Sequence, residues 1–236
     1  MPKPRRIHIL VEGCLDAVLA RWLAWRGARD LEVEVEVAGG WTGVVRQLVG
    51  LLASTSPRVA LVGIVDADED VESRINHIEE LLARYAKRRG LVVRVSRVRR
   101  TALPPLLRVE LEVGSGVSRA ACVSFWCTSN CCRGTVEDVI MEMLEERYSY
   151  QPVNAPDACS SCPSERCSRD YTKYAPVLFL AACARRAGTP VLVPSEQHCG
   201  IDVRRALESL DLASSGPAQR YRRLMSFVAE CCAGMV

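Results

Sequence analysis

The sequence lacks several features that would place it in well-defined protein classes. Its 236 residues contain no run of about 18 uncharged apolar residues, so no membrane-spanning helix is predicted. It has no Gly-Lys-Ser/Thr motif, which excludes an ATPase of the P-loop class. The basic start MPKPRR leads into an apolar stretch that reaches Glu12 too early for a secretory signal peptide. We therefore expect a cytoplasmic protein with no membrane partner.

Acidic residues are absent from one long basic stretch, although the net charge of the chain is only +3. Nine Lys or Arg residues and no Asp or Glu lie between Arg84 and Arg108. Such a stripe can bind the phosphates of a nucleic acid. It is also typical of a basic helix end followed by an edge strand that is protected by charge. The candidate nucleic-acid contacts are Arg94, Arg97, Arg99 and Arg100.

An alternation of strands and helices predicts the fold class. Short apolar or alternating runs predict strands at 6–11, 31–38, 58–65 and 91–97. Helical spacing between them predicts helices over Cys14–Gly27, Trp41–Ala53 and Val71–Arg88. This order is typical of an α/β fold with a Rossmann-like, mostly parallel sheet and helices on both faces.

The second half of the chain predicts additions to this core. Residues 105–113 and 117–126 flank the sequence GSG and are typical of a β-hairpin. A loop rich in Pro, Ser and Cys follows, and the chain ends in a helical segment. We expect residues 1–100 to form the core and residues 101–236 to complete the same domain.

Carboxylates follow two of the predicted strands. Glu12 comes directly after the first strand, and Asp66, Asp68 and Asp70 come at the end of the third. In parallel sheets ligands bind beyond the carboxyl ends of the strands. Because adjacent carboxylates repel one another, a hard divalent cation such as Mg²⁺ is one explanation for the cluster. A solvated turn is another, in which Asp70 caps the following helix.

The segments ILVEG and GIVDADED together resemble the Toprim domain, which topoisomerases, bacterial-type primases and several nuclease families share. That family carries Glu-Gly after its first strand and Asp-x-Asp, often Asp-x-Asp-x-Asp, after its third. Glu12-Gly13 and the alternating Asp66, Asp68 and Asp70 match this pattern. The resemblance covers about residues 5–100 and implies a Toprim-like fold.

The remainder is similar to small stand-alone Toprim-like proteins of archaea, whose function is largely unassigned, and more distantly to the nuclease part of the OLD family. In that family a hydroxyl-x-Glu element and a later Lys complete the site. Thr135-x-Glu137 and Lys173 match these elements. Glu137 is equally typical of a helix N-terminus and Lys173 of an exposed lysine. The sequence includes neither an ATPase module nor the tyrosine-bearing domain of a topoisomerase.

The resemblance implies metal-dependent phosphoryl chemistry on nucleic acid. Glu12 would bind a second cation or act as general acid/base, and Lys173 would stabilise the developing charge. Phosphodiester hydrolysis is the expected reaction. One alternative is nucleotidyl transfer, which uses the same cations. The other is a non-catalytic module that binds nucleic acid or protein. The residues expected to hold Mg²⁺ or Mn²⁺ are Asp66, Asp68, Asp70 and Glu137.

Twelve cysteines are many for a protein expected in the cytoplasm. Three of them, Cys159, Cys162 and Cys167, are spaced closely enough to bind Zn²⁺ if a fourth ligand joins them. Disulfides, as found inside hyperthermophiles, and an iron–sulfur cluster are the alternatives.

Overall fold

The computed structural model describes residues 6–28, 30–54, 59–98, 100, 103–113, 117–129, 133–148, 180, 188 and 203–231. The chain divides into two compact units. The first unit consists of Met1–Thr135 together with Arg220–Val236, and the second is Val136–Gln219. The expected core over 1–100 stays a prediction.

One six-stranded sheet forms the centre of the first unit, in the order β2-β1-β3-β6-β5-β4. Strands β1, β2, β3 and β6 pair in parallel, whereas β5 is antiparallel to both of its neighbours. The expectation of an α/β fold with a mostly parallel sheet is therefore confirmed. The strands are β1 (Arg6–Val11), β2 (Glu32–Val37), β3 (Val59–Asp66), β4 (Val92–Val98), β5 (Leu106–Val113) and β6 (Val117–Trp126).

The hairpin of β5 and β6 lies inside this sheet, because β6 pairs with β3. Residues 121–126 of β6 are all buried, as is typical of a strand that is covered on both faces. By contrast β4 alternates valines with charged or polar residues and has exposed positions along its length. Such a strand is suited to the sheet edge, where β4 lies.

Six α-helices are described, together with a 3₁₀ turn at Leu212–Ser214. They are α1 (Cys14–Gly27), α2 (Trp41–Ser54), α3 (Val71–Arg88), α4 (Val136–Tyr148), α5 (Val203–Ser209) and α6 (Gly216–Cys231). None of the helices in the described ranges is long and apolar enough to cross a membrane.

Both faces of the sheet in the first unit are covered by helices. On one face, Leu48 of α2 and Ile78 of α3 share a buried cluster with Phe125 of β6. Side chains alternate along a strand, so the next residue, Trp126, faces the other way. There its ring contacts Tyr221 of α6, with 4.7 Å between the ring centroids. The core therefore lies on both sides of β3 and β6, the two central strands.

Candidate metal centre

The register of β1 and β3 brings two of the predicted acidic residues together. The strands are parallel neighbours, with Val11 opposite Ile64, so their carboxyl ends lie at the same edge. Glu12 Oε1 accepts a hydrogen bond of 2.7 Å from the backbone N–H of Asp66. The sequence separates these residues by a complete strand–helix pair, and the parallel pairing brings them into contact.

Asp68 has an unusual backbone conformation that the fold holds in place. Its φ of 53° lies in the left-handed region, which aspartate tolerates better than most residues. Asp68 N–H donates to Gly134 O at 3.0 Å, and Gly134 N–H donates back to Asp68 O at 2.8 Å. Gly134 has a φ of 137°, and a Cβ there would lie 2.9 Å from the backbone nitrogen of Thr128. A glycine is therefore required opposite Asp68.

The carboxylate of Asp68 forms an ion pair with Arg74 of α3. The Arg74 side chain is 14% exposed, whereas that of Asp68 is 48% exposed. The guanidinium carbon of Arg74 also lies over the ring of Trp41, 4.8 Å from its centroid. The acidic edge therefore contains a positive charge, that of Arg74. This charge was not predicted from the sequence.

Asp70 caps α3, as predicted. Its Oδ1 accepts from Glu72 N–H at 3.2 Å and its Oδ2 from Ser73 N–H at 3.0 Å. Both carboxylate oxygens therefore satisfy backbone donors that the first helical turn would otherwise leave without a partner. The role of Asp70 as a cation ligand stays a prediction.

A buried carboxylate on α1 reaches the adjacent carboxyl end of β6. Trp126 lies opposite Asp66 in the register of β3 and β6, and its indole Nε1–H donates to Asp16 Oδ1 at 2.9 Å. Asp16 is 5% exposed. The helix start Leu15-Asp16 also resembles the Toprim pattern, but the sequence alone predicts no partner for Asp16.

Tyr221 secures the chain where it leaves β6. Its hydroxyl donates to Phe125 O at 2.8 Å and accepts from the backbone N–H of Cys127 at 2.8 Å. Burial raises the pKa of the Tyr221 phenol well above 10. Beside it, the guanidinium of Arg220 donates to Cys127 O at 2.6 Å and to Thr128 O at 3.0 Å. These bonds fix the backbone of Cys127 and Thr128 directly after β6.

The contact between Glu12 and Asp66 places one carboxylate at the edge where the sequence predicts a magnesium or manganese site. Within the described ranges, no three His, Cys, Asp or Glu side chains are grouped closely enough to form a metal-binding set. Mg²⁺ does not require such a set, because it commonly keeps several waters and binds one or two carboxylates plus substrate phosphates. Glu12 and Asp66 are adjacent at this edge, but their contact joins the Glu12 carboxylate to the Asp66 backbone, so a site of this smaller kind stays a prediction.

The other predicted ligands are not brought to this edge by any described contact. Glu137 lies in the second unit, in the first turn of α4, where the helix dipole favours an acidic side chain. Lys173, and the three cysteines at 159, 162 and 167, lie outside the described residues. Of the cysteines that are described with their side chains, none forms a disulfide; they are Cys14, Cys122 and Cys127.

Arg97 of the basic stretch is surrounded by groups of α3. Its guanidinium donates to Glu72 at 2.7 Å, to Asn76 at 2.9 Å and to Glu79 at 3.1 Å. Its hydrogen bond to Glu79 is the main reason that the pKa of Arg97 is raised. Arg97 therefore links β4 to α3, and its charge is balanced by two carboxylates.

The other arginines of that stretch differ in their surroundings. Arg94 pairs with Glu112 across the neighbouring strands at 2.8 Å, although its side chain is mostly exposed. The guanidinium of Arg100 lies over the ring of Phe227, 4.3 Å from its centroid. Arg99 lies outside the described residues. Local acids thus weaken the positive field that the sequence alone indicates, and nucleic-acid binding stays a prediction.

Comparison of the chain with protein-family models, curated proteins and solved structures finds no match. The Toprim resemblance therefore rests on the motifs of this sequence alone and stays a prediction.

Proposed function

We propose that this protein hydrolyses phosphodiester bonds of nucleic acid with Mg²⁺ or Mn²⁺ at the edge formed by the ends of β1 and β3. The observation that carries the proposal is the hydrogen bond from the Asp66 backbone to the Glu12 carboxylate. The resemblance of both segments to the Toprim domain supports it. The exposed position of Asp68 supports it as well, since a substrate must reach the cation.

The residues of the edge have separate parts in this proposal. Asp66 and Asp68 would hold the cation. When bound, the cation neutralises the phosphate and makes water a stronger nucleophile. Glu12 takes the proton of the attacking water. Its hydrogen bond to the backbone of Asp66 fixes the orientation of the carboxylate that receives this proton.

The test is cleavage of labelled single- and double-stranded DNA and RNA by the purified protein with Mg²⁺ or Mn²⁺. We expect chelator to stop cleavage, and Asp66→Asn and Glu12→Gln to lower the rate by at least about a hundredfold. Glu69→Gln is the matched control, because Glu69 is an exposed acid of the same loop. Full cleavage by Asp66→Asn, or cleavage that survives chelator, overturns the proposal.

The same assay separates the alternatives. Chain extension in the presence of nucleoside triphosphates identifies nucleotidyl transfer. Retention of nucleic acid without any metal-dependent reaction identifies a binding module.

A further inference from the structure

Arg74 is a cation that the fold places beside the proposed metal site. Its side chain is mostly buried, and the guanidinium contacts both the ring of Trp41 and the carboxylate of Asp68. The position of Arg74 depends on α3, which begins directly after Asp70. Because both the helix and the bridge from Asp68 to Gly134 are held by hydrogen bonds, this arrangement is built into the fold.

The ion pair has an electrostatic consequence for the acidic edge. Asp68 follows Asp66 by two residues, and an arginine beside one carboxylate relieves the repulsion between like charges. A divalent cation at the edge would relieve the same repulsion. Arg74 and a bound cation therefore compete for the carboxylate of Asp68.

The contact with Trp41 distinguishes Arg74 from an arginine held by one carboxylate alone. Stacking on an aromatic ring attracts the guanidinium independently of Asp68. The guanidinium therefore keeps Trp41 as a partner when the Asp68 carboxylate binds a metal cation instead of Arg74. It is then left with donors in a planar fork, a geometry that matches two oxygens of a phosphate.

We propose that Arg74 is a substrate-binding residue: it neutralises Asp68 in the free protein and binds a phosphate of the nucleic acid once Asp68 has turned to the cation. This inference rests on the proposed function. It adds an exchange of partners that makes cation binding and phosphate binding depend on each other. The exchange predicts that loss of the Arg74 charge has opposite effects on the two ligands.

The test measures both ligands separately, without turnover. Mn²⁺ affinity is measured by calorimetry on the protein alone, and affinity for a short DNA is measured with Ca²⁺ in place of the active cation. We expect Arg74→Gln to bind Mn²⁺ about tenfold more tightly, because a nearby positive charge has been removed. We expect the same variant to bind the DNA about tenfold more weakly.

Two further variants make the result specific. Arg74→Lys keeps the charge and loses the fork, so Mn²⁺ affinity should stay within about twofold while DNA binding still weakens. Arg204→Gln is the matched control, because Arg204 forms an exposed pair with Glu208 within α5, and it should change neither affinity.

The possible failures are distinguishable. If Asp66→Asn abolishes Mn²⁺ binding but Arg74→Gln leaves both affinities unchanged, the inference is overturned and the proposed function stands. If neither the parent protein nor Arg74→Gln binds Mn²⁺, both are overturned. Should Arg74→Gln fail to fold by circular dichroism, DNA affinity of Arg74→Lys equal to that of the parent protein overturns the inference.

Discussion

The carboxylates at the sheet edge illustrate how single residues acquire different environments. Glu12 accepts a backbone N–H, Asp68 pairs with Arg74, and Asp70 accepts two N–H groups of α3. The repulsion that their sequence spacing indicates is therefore relieved by two kinds of protein group, backbone N–H and guanidinium. Their clustering does not by itself require a cation, so direct measurement of cation binding is the decisive experiment.

Tyr221 provides a prediction about stability at the scale of one residue. We expect Tyr221→Phe to lower the free energy of unfolding by about 1–3 kcal/mol, because the buried N–H of Cys127 and the carbonyl of Phe125 lose their hydroxyl partner. Denaturant unfolding measures this loss. Tyr148→Phe is the matched control, since Tyr148 is 39% exposed. Equal stability of the two variants would contradict the assigned role.

The raised pKa of Tyr221 also predicts how stability depends on pH. In the unfolded chain the phenol loses its proton near pH 10, whereas the buried phenol keeps it to higher pH. Above pH 10 the native state therefore binds more protons than the unfolded state, and the free energy of unfolding falls as pH rises. Unfolding of the parent protein and Tyr221→Phe at pH 9 and pH 11 measures the difference. We expect the smaller decrease in the variant; equal decreases would be inconsistent with this explanation.

At the scale of elements, α3 shows how short-range signals define a helix. It begins after the Asp70 cap, buries Ile75, Ile78 and Leu82 on one face and carries Lys87 and Arg88 in its last turn. The predicted range, Val71–Arg88, is confirmed. Each of these signals acts within one or two turns, so the sequence alone is sufficient to locate the helix.

The cap of α3 allows a prediction that separates two roles of Asp70. We expect Asp70→Ala to lower the free energy of unfolding by about 1 kcal/mol, and Asp70→Ser to restore most of it, because serine also caps helices. Urea unfolding measures both changes, with Glu69→Ala as the control. If Asp70 is also a cation ligand, Asp70→Ser will retain its stability but bind Mn²⁺ more weakly than the parent protein. No difference in stability between Asp70→Ala and Asp70→Ser would contradict the capping role.

On the scale of the whole molecule, the end of the chain belongs to the same unit as its beginning. Residues from Arg220 onwards belong to the first unit, and Tyr221, Leu224 and Val228 of α6 are fully buried. The hydroxyl of Ser226 donates to Gly27 O of α1 at 2.6 Å. The first unit is therefore formed by two stretches of the chain that are separated by the second unit.

This arrangement predicts the effect of truncation. We expect a chain ending at Gln219 to lose its cooperative unfolding transition. Burial of each large apolar side chain contributes about 1.5–3 kcal/mol, and the whole stability of a domain is about 5–15 kcal/mol. Near-ultraviolet circular dichroism and thermal unfolding measure the loss. A chain ending at Cys231 keeps the whole of α6 and is the comparison, in which a cooperative transition should remain. A shared transition midpoint for both truncations would contradict this prediction.

The candidate site was predictable only in part. Glu12 and Asp66 could be paired because the carboxyl ends of neighbouring parallel strands share an edge. The contact of Arg74 with Asp68 was not predictable, because the left-handed turn at Asp68 is paired with Gly134, which lies far away in the sequence. Leu15-Asp16 was recognisable as a typical helix start, but the contact of Asp16 with Trp126 was not predictable, since Trp126 lies far away in the sequence.

The sequence by itself determined the strands, the helices and which of their ends carry carboxylates, because periodicity and capping depend on residues within a few turns of one another. Only the tertiary structure decided that β6 lies beside β3, that Arg74 forms an ion pair with Asp68 and that Tyr221 forms hydrogen bonds at the end of β6. These contacts join distant parts of the chain. They form when the whole first unit buries its apolar surface, so no local pattern encodes them.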